Sequence, residues 1–127
     1  MTNKPVTEAG QIALAGVKVY VAGPMTDLPE FNRPTFFAAE AHLKELGAVV
    51  MNPAILPDGF SHDAYMRMCI PMLMECEAVA FLPGWQQSKG ARQEFTRAHA
   101  FGMDLYQLEV GSVAGELWIT SIAVLDL

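Results

Sequence analysis

The chain has 127 residues, 52% of them hydrophobic and 17% charged. That excludes a disordered chain and gives one domain enough apolar surface for a core without staples. A net charge of -6 excludes a general binder of nucleic-acid backbones, which needs a basic patch, and leaves a small anionic ligand open.

Residues 1–15 read as a flexible leader. Its apolar patch, Ile12-Ala13-Leu14-Ala15, is too short to span a membrane, and the residues before it are too polar for a signal peptide. Residues 16–127 read as one domain. Val17 to Ala22 is β-branched and aromatic, closes at Gly23-Pro24, and predicts a buried first strand. Met25 to Arg33 reads as a loop. Pro34 suits the first turn of a helix, with Asn32 or Arg33 near its cap. Phe36, Ala39, Leu43 and Leu46 recur at helical spacing, widened by Phe37 and Ala41, and Gly47 is the stop.

Ala48 to Met51 predicts a second strand and residues 54–61 a loop. Asp63 to Glu75 predicts a helix, in which Pro71 implies a kink or a restart. Ala78 to Leu82 predicts a third strand, Gly90 to Phe101 a third helix, and Leu105 to Val110 a fourth strand. Residues 112–127 fit a fifth strand, a helix or an interface arm. Alternation of strands with helical crossovers predicts an α/β fold of three layers, α/β/α. Its centre would be a flavodoxin- or Rossmann-like parallel sheet of four to five strands. A positive mean hydropathy in a small domain suggests a buried subunit interface.

The stretch Val79 to Glu94 is the natural ligand edge: a strand, a tight loop and a helix start. Free N–H groups and partial positive charge at a helix N-terminus suit anions. Ser88 reads as the helix N-cap and equally as a phosphate ligand. Gly90 relieves crowding or admits a ligand to the backbone. Glu94 reads plainly as a carboxylate favoured by the helix dipole, with Arg97 as an ion-pair partner. Beside a strand end it also reads as a nucleophile that the helix start keeps ionised. Tyr20 is either core or a hydroxyl aimed over the strand ends at Glu94. Gly23-Pro24-Met25 is a rigid turn and a candidate pocket floor. Trp85 covers the core, stacks on a base or fills an interface.

Neither the two cysteines, Cys69 and Cys76, nor His42, His62 and His99 have ligand spacing, so no metal and no cofactor is expected. Cysteine usage fits a cytoplasmic protein. Four of the methionines, Met66, Met68, Met72 and Met74, crowd one segment that suits an adaptable interface.

Tyr20-Val-Ala-Gly-Pro-Met25, together with Leu82-Pro-Gly-Trp-Gln-Gln-Ser-Lys-Gly-Ala-Arg-Gln-Glu94, resembles the nucleoside 2-deoxyribosyltransferase-like superfamily. Within it the sequence is most similar to an uncharacterised group common in phages and prophages, over residues 17–110. The resemblance implies cleavage or transfer at the N-glycosidic bond of a nucleoside or nucleotide. Glu94 would be the nucleophile and Tyr20 would orient it. Ser88 stands where the transferases carry a sugar-gripping aspartate and the nucleotide hydrolases a phosphate-binding serine, which implies a 5′-monophosphate. Gly23, Pro24, Met25, Trp85 and Gly90 would complete the substrate site. Cys69 stands where relatives carry an aspartate that serves the base, and a thiol does not replace a carboxyl for protonating a leaving group. The expected partners are a small nucleoside or nucleotide and further copies of the chain, as a homodimer or larger, with no nucleic acid and no membrane. A nucleotide-binding protein without catalysis, and an interaction module with a vestigial pocket, are the alternatives.

Overall fold

The computed structural model describes residues 12–125. Among these residues strands and α-helices alternate up to a closing pair of strands: β1 (Lys18–Ala22), α1 (Arg33–Glu45), β2 (Val49–Met51), α2 (His62–Met74), β3 (Ala78–Phe81), α3 (Lys89–Ala100), β4 (Asp104–Val113) and β5 (Glu116–Val124). They form one sheet in the order β2-β1-β3-β4-β5. The first four strands run parallel, and β5 returns antiparallel against β4.

Side-chain alternation along the strands divides the core. Val19 and Val21 of β1 and Ala78 and Ala80 of β3 face one side, where Phe36, Ala39 and Leu43 of α1 cover them. Tyr20 and Ala22, with Val79 and Phe81, face the other side, against Cys69 and Leu73 of α2 and Ala91 and Ala98 of α3. Period-2 strands between 3.6-period helices give this three-layer α/β/α arrangement. Burying a side chain such as Phe36 or Leu43 contributes about 1.5–3 kcal/mol. Phe37 does not widen the α1 face as expected, since it is 45% exposed.

Residues 1–11 of the expected leader lie outside the described residues. From Ile12 onward the chain is packed: Leu14 is fully buried, and its N–H donates to Leu46 O at 3.2 Å. Residues 12 and 14, expected in the flexible leader, therefore pack with the rest of the domain. Pro71 produces no restart, because α2 continues through it. Residues 112–125 prove to be the end of β4 and all of β5. A turn at Ala114-Gly115, both with positive φ, joins the two strands. A register shift between Glu109 and Val110 bends the ladder.

The loop expected from Met25 to Arg33 carries a 3-10 turn at Pro29–Asn32. Three consecutive residues, Glu30, Phe31 and Asn32, adopt left-handed φ of 52°, 53° and 62°. This region is costly for residues with a Cβ, most of all a bulky aromatic. Asn32 Nδ2 helps hold the segment by donating to Pro24 O at 2.9 Å.

Candidate functional site

The carboxyl end of β1 opens onto a cavity of about 420 Å³. The β1–α1 connection, the β2–α2 connection, α2 and the start of α3 wall it. It lies at the sheet's topological switch, since β1 connects outward to β2 on one side while β3 and β4 lie on the other. Its size suits a small-molecule ligand.

Tyr20 and Glu94 meet in this cavity, where the Tyr20 hydroxyl donates a hydrogen bond to Glu94 Oε2. Tyr20 alternates onto the α2/α3 side of the sheet, and Glu94 shares a helix face with Ala91 and Ala98. That helical stripe turns the carboxylate inward, so Glu94 is only 6% exposed. Burial, only partly opposed by the Tyr20 hydrogen bond, pushes its carboxyl up to about 8. The helix start was expected to keep Glu94 ionised. The carboxyl is instead raised, with burial as the largest cause. Burial and the neighbouring Glu94 also hold the Tyr20 phenol well above its ordinary value, which makes it a donor. Oε1 of Glu94 has no hydrogen-bond partner among the described residues.

Ser88 caps α3, its Oγ accepting from Ala91 N at 3.2 Å. Ser88, Gly90, Gly23 and Met25 all line the cavity with Tyr20 and Glu94. A Cβ on Gly23 would lie 2.8 Å from Leu82 Cβ, so only glycine lets β1 leave the sheet so close to β3. A Cβ on Gly90 would touch Met66 Sδ at 3.4 Å and His62 Cε1 at 3.6 Å. Both are ordinary van der Waals distances, so α2 and α3 come close here but the space does not itself demand glycine.

Two expected site residues are elsewhere. Pro24 does not line the cavity; its carbonyl serves Asn32, and its Cγ would lie 3.4 Å from a Cβ on Gly84. Trp85 is buried in the core under α3. It stacks on Phe95 with centroids 4.9 Å apart and donates from Nε1 to Gln107 Oε1 at 3.0 Å. Gly84 with φ 86° starts the short turn that tucks the indole in. Of the three readings open for Trp85, covering the core is the one its packing matches.

Cys69 lines the cavity and interacts with the Tyr20 hydroxyl. Burial pushes its thiol up to about 11, so it stands neutral. Sequence reasoning passed over several wall residues. Arg33 forms an ion pair with Asp58 and donates to Ala54 O and Leu56 O, both at 3.2 Å. Its guanidinium lies 5.3 Å from the centroid of the Phe31 ring. Tyr65 donates to Pro57 O at 2.5 Å and packs edge-on against Phe60. Arg33 and Tyr65 thus fasten residues 54–60 along the cavity from both sides. His62, just before the expected helix start at Asp63, is the first residue of α2 and also lines the cavity. The one signal for it in the sequence was Ser61, a good N-cap.

The family described as Domain of unknown function (DUF4406) matches the chain over residues 17–107, a span that holds every residue of the cavity wall. No curated protein matches the chain.

Proposed function

The chain belongs to the DUF4406 family, a domain of unknown function, and we propose that it cleaves or transfers at the N-glycosidic bond of a (deoxy)nucleoside 5′-monophosphate. The observation that carries this reading is the Tyr20 to Glu94 hydrogen bond in a cavity that also contains the Ser88 cap of α3. The resemblance of both motifs to the nucleoside 2-deoxyribosyltransferase-like superfamily supports it.

In this reading Ser88 and the first N–H groups of α3 hold the phosphate. Gly23 and Met25 lie along the sugar. Glu94, once deprotonated, attacks the anomeric carbon while Tyr20 orients it. The C–N bond breaks, and its electron pair leaves with the base, which takes a proton from solvent. Water or a second base then attacks the same carbon, gives up its proton to the freed carboxylate or to solvent, and breaks the bond to Glu94, a double displacement like that of retaining glycosidases.

A second reading, nucleotide binding without turnover, is favoured by Cys69. A neutral thiol stands where the resemblance expects a carboxyl to serve the base, and Glu94 itself is held protonated near neutrality. In either reading we place the protein in the cytoplasm; among the described residues no helix is long and apolar enough to cross a membrane. We also infer self-association, in keeping with the exposed Val113, Trp118 and Val124 of the β4–β5 hairpin.

The test is incubation with each common nucleoside 5′-monophosphate, with free base measured by chromatography and binding by calorimetry. The enzyme reading expects one or more bases to be released. Tight binding of one nucleotide with no release from any moves the assignment to the second reading.

A further inference from the structure

Four ionisable side chains other than tyrosine and cysteine line the cavity: Arg33, Asp58, His62 and Glu94. Arg33 is already neutralised by Asp58, and it also donates to two backbone carbonyls. Among the described residues, a phosphate dianion entering beside Glu94 would therefore find one cation source left in the wall, His62. Its place fits the task. It opens α2 next to the Ser61 cap, and its ring lies 3.6 Å from where a Cβ on Gly90 would stand, two residues after Ser88. His62 Nε2 is 3.3 Å from Gln93 Oε1, which ties the ring to α3. Two helix N-termini and one imidazole thus meet at the same end of a cavity. That cavity also contains a buried carboxylate with one oxygen unpartnered among the described residues.

We propose that His62 is the phosphate-discriminating residue of this site, the group that makes a nucleoside 5′-monophosphate bind in preference to the free nucleoside. The inference rests on the nucleotide reading above and adds to it the residue that reads the phosphate. A protonated imidazole carries a positive charge and an N–H on each nitrogen. With Gln93 engaging one nitrogen, the other is available to a phosphate oxygen. Such a charge-assisted contact outranks the neutral hydroxyl of Ser88 and the helix N–H groups that share the load. Orientation follows: the phosphate lies toward His62 and Ser88. The base lies toward Phe31 and Phe60, which are 44% and 52% exposed at the wall.

The experiment uses Glu94→Gln to block turnover and measures, by calorimetry, binding of the four deoxynucleoside 5′-monophosphates and the four matching nucleosides. The same probes are then run on Glu94→Gln/His62→Ala and Glu94→Gln/His62→Arg. The expected result is that Glu94→Gln prefers a monophosphate to its nucleoside by at least about tenfold. His62→Ala should remove most of that ratio with nucleoside affinity unchanged, and His62→Arg should retain it. Unchanged nucleoside binding also reports that the variant is folded. A preference that survives in His62→Ala overturns the proposal. So does a loss that falls equally on nucleotides and nucleosides. If Glu94→Gln binds none of the eight probes, the nucleotide reading fails first and takes this inference with it.

Discussion

Tyr20 on the first strand donates its hydroxyl hydrogen to Glu94 on the third helix, a contact that joins residues 74 positions apart inside a cavity wall. It is the one interaction that draws the Glu94 carboxyl down against the effect of burial. Tyr20→Phe therefore moves the carboxyl above about 8. If base release requires the carboxylate, its pH profile shifts alkaline, and release at neutral pH falls about 10- to 100-fold. Base release measured from pH 6 to 10 in both proteins checks this.

The raised carboxyl also makes folding stability depend on pH. The ordinary carboxyl of the unfolded chain loses its proton near 4.5, and the folded one keeps it to about 8. Between those values the folded state binds more protons than the unfolded state. Stability is therefore highest below 4.5 and falls as pH rises toward 8, by up to about 1.4 kcal/mol per pH unit. Glu94→Gln removes this decline. Urea unfolding at pH 5 and pH 8 should show a smaller difference in the variant than in the parent.

Trp85→Ala tests whether the indole is core. It deletes a ring stacked on Phe95 and 4.7 Å from the Phe81 ring centroid, and leaves Gln107 Oε1 without its donor. The expected loss is about 3–5 kcal/mol of stability by urea unfolding. The order of preference among bases should not change, since the ring does not line the cavity.

The alternation that produced the sheet was legible because the first three strands are short, largely apolar runs, and each helix between the strands carries an apolar stripe. Ser88 as cap was legible for the same local reasons, whereas the pairing of Tyr20 with Glu94 was one of two readings of Tyr20 and otherwise what the resemblance implied. Other features depend on tertiary context. Trp85 follows a glycine that bends the chain inward, and an aromatic in a loop sequence carries no mark of that bend. The left-handed run at Glu30 to Asn32 contains no glycine, so no residue announces it. Residues 112–125 lack a buried face, with Ile119 the one buried residue of β5, so periodicity had little to report. The raised Glu94 carboxyl was not legible because its largest cause is burial depth, which the local sequence does not carry.

Cys69→Asp asks whether the site lacks only an acid. The thiol, neutral and lining the cavity, gives way to a carboxyl next to Tyr20. The expected outcome is base release raised about 100-fold, the scale of a general acid. A second carboxyl near Glu94 also raises the apparent value of the pair. Initial rates across pH in the parent and the variant measure both effects.

The central claim is that Glu94 is the nucleophile of an N-glycosidic reaction. The most direct measurement is free base released from nucleoside 5′-monophosphates by the parent and by Glu94→Ala, each confirmed folded by circular dichroism. The account predicts release by the parent and a fall of at least about 1,000-fold in the variant. Release that persists undiminished in Glu94→Ala would contradict it.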